Sequence, residues 1–149
     1  MKYEIEMMTE KNHPQRGVAF LVSDEDKRFT TKDTFDKLDN TKCDKSLRTR
    51  FDYWRDGQPN KKGHHGWNKS EFGGHYTKCY VFKCDQNRFY GFLCHPRKED
   101  APRYEACIIV KYAKKKEHET DESELKFVEE IRTNFDVQKT VQDFFKVKK

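Results

Sequence analysis

Lys83 and Arg88 flank the turn-forming stretch Asp85-Gln86-Asn87, and the run Lys114-Lys115-Lys116 follows a later apolar stretch. An arginine offers a planar fork to two phosphate oxygens, whereas a lysine acts as a point charge. Together they form a set suited to holding a phosphate and the charge that builds on it during transfer. Cutting RNA through its own 2′-OH also needs a base and an acid. His64, His65 and His75, in or after a polar loop, are of the type that exchanges protons near neutral pH. Tyr112 offers a ring for a base or an acidic hydroxyl. Strict alternation, however, puts it on one face with Ala106, Ile108 and Val110, as core. Lys69, Lys114 and Lys116 complete the candidate RNA contacts. Against these stand plain alternatives. Lysine runs are most often solvated, and most loop histidines have no catalytic role.

Such residues need a scaffold. Cys79–Lys83, Arg88–Cys94 and Glu105–Tyr112 are apolar, strand-like runs too close in sequence for crossovers. The expectation is an α+β fold, a small antiparallel meander sheet with helices packed on one face and C-terminal helices after it. Ahead of the meander, Lys2–Met8 and Val18–Val22 suggest one or two strands. Thr31 is a possible cap for a helix carrying Phe35 and Leu38. Ser46 to Asp56 predicts a better helix, capped by Ser46, with Leu47, Phe51 and Trp54 on one face and Gly57 as its stop. Residues 58–74 form a polar loop, and His95 to Arg103, broken by Pro96 and Pro102, a second one. The last long helix starts near Asp121, with a stripe of Leu125, Val128 and Ile131 reaching Phe135. Val137, Val141, Phe144 and Phe145 suggest a short further helix.

Apolar residues make up 34% of the chain and charged ones 38%, while 14% aromatics supply core volume and argue against disorder. The net charge of +5 suits nucleic acid and equally an ordinary basic protein. No apolar run approaches the ~20 residues of a bilayer span. Met1–Glu6 lacks a signal-peptide core, so a cytoplasmic location without a membrane partner is expected. The cysteine count of 5 is odd, and several lie in predicted strands, which favours free thiols over a disulfide framework. Cys79, Cys84, Cys94 and His95 are the one metal-like set, without the paired spacing of a zinc knuckle. No metal and no cofactor is expected.

The order of these motifs resembles the RelE/HigB-like toxins of bacterial toxin–antitoxin pairs, in the RelE/ParE superfamily. The resemblance rests on Phe51-Asp52-Tyr53-Trp54-Arg55-Asp56-Gly57 as a helix with its terminal turn, then on Cys79-Tyr80-Val81-Phe82-Lys83 as a strand with a basic residue. Asn87-Arg88-Phe89-Tyr90 follows as a strand opening on Arg. Val110-Lys111-Tyr112-Ala113-Lys114-Lys115 is a last strand running into lysines before an acidic-capped helix. It implies a single RelE-like domain over 1–149, with 46–135 the best-matching core, 1–45 an N-terminal strand and helix part and 136–149 a C-terminal extension. It also implies a metal-independent endoribonuclease (an mRNA interferase) acting on RNA, usually on the ribosome, and silenced by a cognate antitoxin. Lys83, Arg88 and Lys114 or Lys115 match the basic positions of that site. Where some members carry an aromatic acid/base, this chain has Glu119-Thr120-Asp121-Glu122-Ser123, leaving a histidine to serve. The alternatives are a non-catalytic nucleic-acid- or protein-binding module of the same fold, or a gyrase-inhibiting ParE-like toxin.

Overall fold

Both faces of the central strands are apolar, and this decides the architecture. The computed structural model describes residues 2–38, 41–58, 63–115 and 121–146. Its elements are β1 (Glu4–Met7), β2 (Arg16–Val22), α1 (Thr31–Asp36), α2 (Lys42–Arg55), β3 (His64–Gly66), β4 (Cys79–Cys84), β5 (Asn87–Cys94), β6 (Glu105–Lys114), α3 (Glu122–Arg132) and α4 (Phe135–Phe145). Val18, Phe20, Phe82, Phe89, Cys107 and Ile109 point to one side of the sheet, while Ala19, Leu21, Val81, Tyr90, Ile108 and Val110 point to the other. A sheet with two apolar faces has to be covered twice. α1 and α2 bury the first side with Phe35, Leu47, Phe51 and Trp54, and α3 and α4 bury the second with Leu125, Val128, Ile131, Val137 and Val141.

The class is mixed α+β, but helices lie on both faces rather than one. The meander β4–β5–β6 is half of a six-stranded sheet of order β1-β2-β6-β5-β4-β3. β1 and β2 pair antiparallel, and β2 then lies parallel to β6 (Val18 opposite Cys107). The polar loop contains β3, a three-residue edge strand on β4. So short a strand has no alternation to betray it.

Capping moves two helix boundaries. α2 starts before Ser46 because Thr41 Oγ1 accepts from the Asp44 amide at 3.2 Å. Its end is a Schellman turn. Gly57 takes φ +81°, Gln58 N–H donates to the Tyr53 carbonyl at 2.9 Å, and Gly57 N–H donates to that of Trp54 at 3.0 Å. In α1, Thr30 holds the cap position and Thr31 Oγ1 instead donates to the Val110 carbonyl at 3.1 Å. α3 ends at Arg132, so Phe135 opens a new helix and stands 75% exposed, off the expected stripe.

A β-bulge redirects β6. Tyr90 pairs with Lys111 but Gly91 with Ile109, so Val110 is the extra residue. Tyr112 therefore leaves the face of Ala106, Ile108 and Val110 and lands on the α2 side, its ring 5.0 Å from that of Phe89. Gly91 is required there, since a Cβ would sit 2.5 Å from the Ile108 carbonyl oxygen. The expectation of free thiols also needs correcting. Cys43 and Cys84 form a disulfide with Cα atoms 5.6 Å apart, while Cys79, Cys94 and Cys107 are free. No helix among the described residues is long and apolar enough to cross a membrane.

Candidate functional site

The tip of the β4–β5 hairpin gathers the basic side chains. Lys83 and Arg88 are directly opposed in the register, joined through Asp85 and Gln86, with Asp85 at φ +52°. That left-handed conformation suits a two-residue hairpin loop, and aspartate tolerates it. Alternation puts Lys83 and Arg88 on the α3 side with Val81 and Tyr90. β3 borders them there. The Lys83 amide donates to the Gly63 carbonyl at 2.8 Å, and His65 is paired with Val81, so its ring shares the face. The His65 ring lies 5.0 Å from that of Trp67, which in turn stacks on Tyr90 at 6.2 Å. From the other side of the sheet, Arg50 Nη1 donates to the Lys83 carbonyl. Arg88 Nη1 donates to the carbonyls of Asp85 at 2.6 Å and Asn87 at 3.2 Å, which fixes the guanidinium over the turn.

The electrostatics are those of two cations that pair with no carboxylate among the described residues. Burial lowers the Lys83 pKa, and Arg88 and Arg50 lower it further. Burial lowers His65 as well, followed by Lys83 and Arg88, against raising contributions from the Gly66 carbonyl and Glu71. None of His65, Lys83 and Arg88 forms an ion pair with a described carboxylate. Like charges that depress one another are relieved by a bound anion.

Other expected site residues go elsewhere. His64 is buried on the α2 side between the rings of Tyr80 and Phe82, its Nδ1 sharing a hydrogen bond with the Tyr80 hydroxyl. Burial, then Arg50, brings its pKa down to about 4. It is a core histidine and not an acid/base for the hairpin. Lys115 reaches the tip through its amide, which donates to the Gln86 carbonyl at 2.7 Å, but its Nζ pairs with Glu124 at 3.0 Å and Asp121 at 3.9 Å. Its charge is thus already matched, so it is no open phosphate ligand. Lys114 is the exposed end of β6, and Lys116 lies outside the described residues. Tyr112 is turned away by the bulge, its hydroxyl donating to Asn87 Oδ1 at 2.6 Å. Lys69 and His75 are exposed on the segment between β3 and β4.

Trp67, Tyr90 and Arg50 were not among the expected site residues. Trp67 sits in a polar stretch with no periodicity, and Arg50 acts across the sheet, so neither carried a local signal. The resulting arrangement can bind a phosphodiester at Lys83 and Arg88 and exchange a proton at His65, beside an aromatic wall. No protein family, no curated protein and no solved structure matches the chain.

Proposed function

We propose that this protein is a toxin-like endoribonuclease of the RelE/HigB kind. It binds the scissile phosphate of RNA with Lys83 and Arg88, uses His65 as the proton-exchanging group, and is neutralised by an antitoxin that supplies carboxylates to the same patch. The observation that carries this reading is the gathering of His65, Lys83 and Arg88 on one face without an ion pair among the described residues. Support also comes from the element order, a Gly-terminated α2, the β4–β5–β6 meander and the Asp121-capped α3. A second reading, RNA binding without cleavage, draws on the matched charge of Lys115 and the burial of His64, which leave few groups for acid–base work. Induced expression in a bacterial host with transcript-end mapping separates the two. Growth arrest and new transcript ends are expected, lost in Lys83→Ala and Arg88→Ala and kept in Lys98→Ala. Losing one charge donor should lower the rate by about a hundredfold. RNA bound but left intact selects the binding module, and harmless expression without RNA binding rejects both.

A further inference from the structure

We propose that Cys43, Cys84 and Asp85 form a binding site for a soft divalent cation of the zinc class once their disulfide is reduced. The donor atoms of the three lie within 4.8 Å of one another. Both cysteines are buried, 6% and 5% exposed, while Asp85 is exposed on the hairpin turn and gives the cation a way in. Thiolates select zinc-like ions over magnesium or calcium, and three protein donors leave a fourth position for water.

Several features around Cys43 suit a metal-bound sulfur. Cys43 is the second residue of the fourteen-residue α2, where first-turn amides and the helix dipole stabilise an anion. Asn87 Nδ2 lies 3.7 Å from Cys43 Sγ, and the Tyr112 hydroxyl on Asn87 Oδ1 at 2.6 Å fixes that amide with its N–H groups toward the sulfur. Outer contacts of this kind orient metal ligands. Asp85 Oδ2 stands 3.5 Å from Cys43 Sγ, held there by the left-handed turn. Lys83 and Arg88 leave the same strands on the opposite face, so the cation and the candidate phosphate are separated by the sheet.

The chemistry balances with an external dithiol. Two electrons and two protons pass to Cys43 and Cys84 as their S–S bond breaks, and the dithiol becomes a disulfide. Binding of the cation then forms two metal–sulfur bonds of about 2.3 Å and releases the two thiol protons.

The test is cobalt titration of the full chain after reduction with excess dithiol and anaerobic desalting. One equivalent of Co²⁺ should give a sulfur-to-cobalt charge-transfer band that Zn²⁺ abolishes. The band should be missing from the oxidised protein and from Cys43→Ser and Cys84→Ser. Asp85→Asn, at an exposed position, should keep the fold and weaken binding by about tenfold or more. No band in the reduced wild type, or a band that persists in the double serine variant, overturns the site. Where a serine variant fails to fold, unchanged affinity in Asp85→Asn overturns the three-donor set. The readout is independent of RNA cleavage.

Discussion

On the side of the β4–β5 hairpin that faces α2, Cys84 is bonded to Cys43, Asn87 lies against Cys43 and Tyr112, and His64 shares a hydrogen bond with Tyr80. On the side that faces α3, Lys83 and Arg88 collect positive charge beside His65, with no ion pair among the described residues. The two sets alternate along the same strands. A period of two thus lets one hairpin tip carry a closed, stabilising side and an open, charged one. Unmatched charge costs stability, and the closed side is where the compensating packing lies.

The largest expected effect is on the closed side. The Phe51 ring, fully buried, lies 4.8 Å from Phe82, 5.8 Å from Phe35 and 6.4 Å from Phe20. Phe51→Ala should cost about 3–5 kcal/mol in urea denaturation. His65→Ala, on the open side, should stay within about 0.5 kcal/mol of wild type. Equal losses would erase the distinction between the sides.

A smaller effect comes from acid. His64 titrates near 4 in the fold and near 6.5 in the unfolded chain. Between those values the unfolded chain holds a proton that the folded one refuses, so stability falls as pH drops from about 7 to about 4. The deficit attributable to this residue approaches about 2–3 kcal/mol at the low end and then levels off. Urea midpoints against pH should show this slope in wild type, whereas His64→Phe should shed it. Parallel curves for the two proteins would place the acid sensitivity elsewhere.

Local chemistry was legible in the sequence and spatial relations were not. Strands β4 to β6, the buried face of Leu47, Phe51 and Trp54, and the Gly57 stop all follow from periodicity and turn residues within a short window. The pairing of Lys83 with Arg88 follows from the tight turn between them. By contrast, Cys43 and Cys84 meet across 41 residues, and no pattern connects them. The second covered face was readable in principle, since β6 is apolar at successive positions from Ala106 to Val110. Tyr112 was misplaced because one extra residue, Val110, inverts the alternation after it. Lys115 looked like a phosphate ligand because its partner Glu124 lies on a different element.

Two lysines, Lys83 without an ion pair among the described residues and Lys115 with one, give the finest test. Burial and then Arg88 and Arg50 depress the Lys83 ammonium, so its charge is a burden on the fold. Lys83→Met should leave stability unchanged or raise it by up to about 0.5 kcal/mol. Lys115→Met instead strips the largely buried Glu124 carboxylate of its partner at 3.0 Å, and should cost about 1–3 kcal/mol. Affinity for a single-stranded RNA oligonucleotide should run the other way. Lys83→Met should lose about tenfold, with the salt dependence reduced by about one phosphate contact, and Lys115→Met should lose less. Fluorescence anisotropy across a salt series measures both terms. A greater affinity loss in Lys115→Met would move the phosphate from the hairpin to the start of α3 and reverse the roles assigned to the two lysines.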